Sequence, residues 1–255
     1  MRSPLRRVAA MACLAATLWL ASTAHATVPV TFGPESWDGS ANRLQNLVNT
    51  LYGNGAINIE TDYIGHDIGD LDPWFWVDNT FSAFMIREIA GNANYNVLGW
   101  YEENGSSAPV IDGINDGVVF DGPSGAGETA LITFSHPMTK FGFYLDPAGQ
   151  ASIPYAPQPE KFWTNRRYND PGPNGSPLHT PNDGDVQALV FDISQIVGQA
   201  NTWLVCFEDL DSGLNPSSCC ETTDNDFNDL IFEVHAFGAT PALPMTIGQV
   251  KKLYR

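Results

Sequence analysis

Residues 203–235 read WLVCFEDLDSGLNPSSCCETTDNDFNDLIFEVH. An apolar run, residues 203–207, ends on Glu208 and Asp209. A polar loop with Gly213, Asn215 and Pro216 follows, and the acid-rich segment 224–229 then opens a second apolar run, residues 230–234. Two short runs rich in β-branched and aromatic residues, split by turn formers, predict a pair of antiparallel strands. Pairing brings the acids that end the first strand onto those that open the second. Glu208, Asp209, Asp211, Asp224, Asp226 and Asp229 then crowd one end of the hairpin. Their repulsion needs a cation or backbone donors to offset it.

Clustered carboxylates and amides are the usual shell of calcium, a hard cation that takes six to eight oxygens. Asp224, Asp226 and Asn228 match the first three ligand positions of an EF-hand loop. The match then fails, because Asp229 stands where that loop needs glycine and His235 where it needs the bidentate glutamate. A site here therefore belongs to a β-hairpin. Its candidate ligands are Glu208, Asp209, Asp224, Asp226, Asn228 and Asp229, with calcium as the expected cofactor. The alternative is that Asp226 and Asp229 accept backbone N–H groups and hold the turn without metal.

The FEDL at residues 207–210 and the DNDFNDLIFEV at 224–234 resemble the signature of an exported bacterial domain of unknown function. That family occurs in proteins with PEP-CTERM or other interchangeable C-terminal anchors. REIAGNANYNVLGWY at 87–101, TKFGFYLDP at 139–147 and KFWTN at 161–165, with a later His179, fit the same family. The resemblance thus spans about residues 83–236. It implies a secreted, β-rich, calcium-associated domain and supplies no activity.

The start of the chain predicts export. Arg2, Arg6 and Arg7 precede an apolar core over residues 8–22, and Ala24-His25-Ala26 forms an A-x-A cleavage site, so residues 1–26 read as a secretory signal peptide. The apolar core is shorter than the ~20 residues of a membrane span. The expected location is extracellular, periplasmic or at the cell surface, with no transmembrane anchor. Residues 27–237 form the expected domain, and 238–255 a Pro-containing linker and basic tail. The tail lacks both the apolar span and the Pro-Glu-Pro of the PEP-CTERM signal, which leaves a different sorting tag or a plain tail.

With 29 acids against 12 lysines and arginines, the 255-residue chain carries a formal charge of −17. So acidic a protein lacks the basic footprint that nucleic-acid binding requires, and anionic membranes repel it. A 43% hydrophobic content nevertheless provides for a core, so the charge does not signal disorder. Three cysteines follow the leader: Cys206, Cys219 and Cys220. In an oxidising compartment Cys206 is expected to bridge to one of the adjacent pair, and three cysteines without a spaced histidine make a poor zinc site.

Elsewhere the chain predicts one helix and many strands. Leu44, Leu47, Val48 and Leu51 fall at helical spacing, with Ser40 as a candidate N-cap and Gly53 as the stop. Residues 54–64 alternate apolar with polar and predict a half-buried strand. Residues 81–89 read as either strand or helix, with the family resemblance and the flanking Gly91 favouring strand; further short apolar runs at 96–101, 117–120, 130–134, 140–145 and 188–193 are separated by turn signals such as Asp112-Gly113 and Asp121-Gly122. Phe162 and Trp163 predict a short strand inside the Pro- and Gly-rich excursion 148–185. The fold class expected is all-β: an antiparallel, jelly-roll-like sandwich with one short N-terminal amphipathic helix.

Acids Asp67, Asp70 and Asp72 before Trp74-Phe75-Trp76 raise a second reading. Trp74, Trp76, Trp100 and Trp163 are candidates for stacking on sugar rings, with an extracellular polysaccharide or cell-surface component as partner. Against it, tryptophans in such runs also serve as core residues. No nucleophile elbow, zincin helix, phosphate loop or dinucleotide fingerprint is present, and His66, His136, His179 and His235 are scattered. The sequence thus points to a secreted, non-catalytic, calcium-binding sandwich acting as a surface, matrix or adhesion module. The alternative is a carbohydrate-binding or carbohydrate-active protein.

Overall fold

The computed structural model describes residues 30, 32, 39–66, 73, 75–77, 79–90, 93–103, 109–136, 138–147, 161–169, 186–209 and 225–237. Among them helix α1 (Leu44–Tyr52) follows a 3-10 turn at Ser40–Asn42. The strands are β1 (Phe75–Val77), β2 (Thr80–Glu88), β3 (Val97–Glu102), β4 (Asp116–Phe120), β5 (Thr129–Thr133), β6 (Met138–Asp146), β7 (Phe162–Trp163) and β8 (Ala188–Asp192). A one-turn helix α2 (Ser194–Val197) leads to β9 (Thr202–Phe207) and β10 (Leu230–Phe237). Two antiparallel sheets result. One has the order β1-β6-β3-β4, with β7 added to β6; the other has the order β5-β2-β10-β9-β8. The fold is an all-β sandwich, as the strand spacing predicts.

Period-2 alternation places the main core between the sheets. Phe143 of β6 meets the rings of Phe75, Phe81, Phe141 and Phe232 at centroid distances of 4.8–5.6 Å, with Phe81 and Phe232 coming from the opposite sheet. β9 is buried at every position because it is covered on both faces. Trp203, Val205 and Phe207 point between the sheets. Leu204 and Cys206 point outward, where α1 lays Leu44, Leu47 and Val48 over them. The double cover explains why this strand reads as an unbroken apolar run. Tyr52, at the end of α1, donates from its hydroxyl to Glu233 Oε1 and pins the helix to β10.

A smaller aromatic cluster of Tyr101, Tyr144, Trp163 and Tyr168 covers the outer face of the first sheet. It requires glycine at two places. Gly99 pairs with Tyr144 and Gly142 with Tyr101, and each tyrosine ring fills the space that a Cβ on its partner would take.

Two local expectations fail. Residues 54–64 form turns, not a strand. The alternation still marks burial, with Ile57, Ile59 and Tyr63 inside. The polar residues between them fold the backbone on itself: Asp62 Oδ2 accepts from Asn58 N at 2.8 Å, and Asn58 Oδ1 accepts from Glu60 N at 3.0 Å. Such Asx bonds compete with a ladder, and only Ile64 N reaches the sheet edge, donating to Val190 O at 2.8 Å. Ser40 likewise opens the 3-10 turn and does not cap α1, whose N-cap is Arg43 with no side-chain cap. Gly53 does end that helix, at φ 98°.

Candidate metal centre

The register of the sheet assembles the acidic end. β9 and β10 pair from Leu230–Phe207 to His235–Thr202, so Glu208 and Asp229 flank the last rung. Asn225 and Phe227 both take left-handed backbone, at φ 51° and 54°, a conformation that is uncommon for a bulky residue. Between these acids Phe227 is fully buried and packs edge-on to Phe32 at 5.8 Å. Burying that ring anchors the segment against the α1 layer. The acids on either side of it are left at the sheet end.

Carboxylate oxygens of Glu208, Asp226 and Asp229 lie within 4.8 Å of one another. Two ligands of one calcium ion stand at most about 5 Å apart, twice a metal–oxygen bond, so one ion can touch all three. Glu208, Asp226 and Asp229 are only 1%, 8% and 9% exposed. Each also accepts one backbone N–H: Glu208 Oε2 from Phe227 at 3.4 Å, Asp226 Oδ1 from Asn228 at 3.2 Å, and Asp229 Oδ2 from Asp209 at 2.8 Å. Turn-holding and oxygen clustering therefore coexist. For Asp229 the donor is outweighed. Burial, then the charges of Asp209 and Glu208, push its carboxyl well above the usual range.

The other expected ligands fall differently. Asp209, just past the end of β9, is not part of that trio, although its charge acts on Asp229. Its Oδ2 accepts from Asn96 Nδ2 at 3.3 Å. Asn228 is fully buried, and its amide nitrogen donates to Asn42 O at 2.9 Å and Asp226 Oδ2 at 2.6 Å. It orients Asp226 and ties the hairpin end to the entry of α1. Asp224 and Asp211 lie outside the described residues.

Glu88 and Asn96 complete the acidic end and were not among the residues singled out from sequence. Glu88 sits opposite Leu230 in the β2–β10 ladder, and Ile89 N donates to Asp229 O at 3.0 Å. Asn96 Nδ2 donates to Glu88 Oε1 at 3.2 Å. Burial first, with a contribution from the Asp209 charge and against the Asn96 donor, pushes the Glu88 carboxyl up to about 7. A pairing partner some 140 residues away leaves no local mark, so only the fold could reveal them.

Cys206 is a free thiol at the outer face of β9, fully buried under α1. Burial pushes its thiol up, away from reactivity. Cys219 and Cys220 lie outside the described residues, as do Trp74 and His179. Of the tryptophans singled out for stacking, Trp163 is buried in the tyrosine cluster. Trp76 and Trp100 are half-buried, edge-on to Trp203 at 5.3 Å and to Phe134 at 4.4 Å. These rings pack against the protein's own core. Compared with known proteins, the chain matches no family model, no curated protein and no solved structure.

Proposed function

We propose that this chain is an exported, non-catalytic β-sandwich that binds calcium at the β9–β10 end and serves as an extracellular surface, matrix or adhesion module. The observation that carries the reading is the convergence of Glu208, Asp226 and Asp229 oxygens within 4.8 Å in a buried setting. Glycosidase acids flank a bond about 5–10 Å apart with a substrate between them. Three carboxylates packed on a common point suit a shared cation better. Export follows from the leader at residues 1–26 and from the resemblance of the FEDL and DNDFND segments to an exported domain family. Among the described residues no helix is long and apolar enough to cross a membrane.

A ligand at 100 times its dissociation constant adds about 2.7 kcal/mol to folding. The wild-type protein is therefore expected to melt several degrees higher in saturating calcium than in chelator. The double variant Asp226→Ala, Asp229→Ala should melt at one temperature in both. Coincident wild-type curves would leave these acids as turn-holding groups only.

A further inference from the structure

We propose that residues 243–247, Leu-Pro-Met-Thr-Ile, dock as an added strand on the outer edge of β5, antiparallel to it and with Met245 opposite Leu131. β5 ends its sheet: it pairs with β2, and among the described residues no strand lies on its other side. Such an edge is a row of backbone donors and acceptors open to a further strand. Phe134 N donates to Asn79 O at 2.7 Å and Met85 N to Glu128 O at 2.9 Å, so residues 130, 132 and 134 turn their backbone groups toward β2. By alternation Thr129, Leu131 and Thr133 turn theirs away from it. The same three side chains are exposed, while Ala130 and Ile132 pack against the inter-sheet core. On this outer face Leu131 is 68% exposed, and Phe84 of β2 and Phe237 of β10 are 42% exposed each. The α1 layer covers β8, β9 and Ile231 and leaves these three apolar side chains bare.

Alternation, proline and reach select the segment. Leu243, Met245 and Ile247 alternate with Pro244 and Thr246, which sets all three apolar side chains on the bare face beside Thr133, Leu131 and Thr129. In that register the N–H groups of Leu243, Met245 and Ile247 face β5. The proline nitrogen faces away, the orientation in which an edge strand tolerates proline. A slip of one residue would turn the apolar side chains to the other face and set Pro244 opposite an open acceptor. β10 ends at Phe237, level with Thr80 and Thr133, and this is the end of β5 at which an antiparallel strand begins. Three strand spacings, about 14 Å, separate β10 from the added strand. Residues 238–242 span up to about 20 Å. Charge favours the same docking, because residues 238–255 carry Lys251, Lys252 and Arg255 and no acid in a chain of net charge −17.

Amide exchange of the full chain, followed residue by residue by NMR, tests this. Thr129, Leu131 and Thr133 are expected to exchange at least about tenfold more slowly in wild type than in Met245→Pro, which removes the central donor. Thr246→Pro, whose nitrogen faces away from β5, is expected to keep the slow rates. Fast exchange at the three positions in wild type overturns the docking. Slow exchange that Met245→Pro leaves unchanged also overturns it, because another segment then covers the edge. Protection that appears only as the protein dimerises, followed by sedimentation, gives the edge to a second copy and overturns it too. Loss of protection in both variants contradicts the register. If Met245→Pro does not fold, wild type decides through the Overhauser contact expected between the α-protons of Thr246 and Ala130, whose absence contradicts the proposal.

Discussion

Replacing Phe143 by alanine is expected to destabilise the protein by about 3–5 kcal/mol, the range for truncating a fully buried phenylalanine. The ring is 0% exposed and touches four other phenylalanine rings, two of them from the facing sheet. Its removal therefore leaves a cavity at the centre of the inter-sheet layer that neither sheet can close without shifting its register. For a chain of this size that loss lowers the melting temperature by about 6–20 °C. The control is Phe84→Ala in β2, on the outer face and 42% exposed. It should cost under about 1 kcal/mol. Equal losses at the two sites, measured by urea denaturation, would contradict the sandwich core described above.

The second large effect is that of calcium on pH dependence. In chelator, Glu88 has its carboxyl raised from 4.5 to about 7 in the folded chain, and Asp229 is raised as well. A raised carboxyl favours folding fully below its unfolded value. That contribution is lost as pH rises through the folded value. The ion-free protein should accordingly lose stability between about pH 4.5 and 7. Glu88 is partly exposed, so solvent screening reduces its share to about 1–2 kcal/mol. Calcium requires the Asp229 carboxyl ionised along with Glu208 and Asp226, so saturating calcium should flatten or reverse that loss of stability as pH rises. The check is urea midpoints at pH 5 and pH 7.5 with calcium and with chelator. Curves that run parallel under the two conditions would separate the carboxylates from any ion.

Most strands were legible because each carries its own signal, although β1 was not singled out and 81–89 stood open between strand and helix. β9 and the start of β10 are apolar runs with turn formers between them, and Gly91, Asp112-Gly113 and Asp121-Gly122 mark the connections after β2, β3 and β4. The meeting of Glu208 with Asp226 and Asp229 was also legible, since a hairpin places the residues after one strand beside those before the next. What local pattern could not show was direction and distance. Glu208 and Asp209 look equivalent in sequence, yet Glu208 joins Asp226 and Asp229 while Asp209 accepts from Asn96. Glu88 reaches the same end only through its pairing with β10, and Asn96 only because β3 starts there in the opposite sheet. Residues 54–64 show the converse. The alternation of Ile57, Ile59 and Tyr63 correctly marks a buried side, but Asn58 and Asp62 satisfy the backbone locally and no ladder forms.

The most direct test of the account is a crystal structure grown in calcium, with the ion located by its anomalous scattering. The expected result is a peak at the β9–β10 end with oxygens of Glu208, Asp226 and Asp229 about 2.3–2.6 Å from it. An ordered hairpin end in saturating calcium with no anomalous peak there would contradict the assignment.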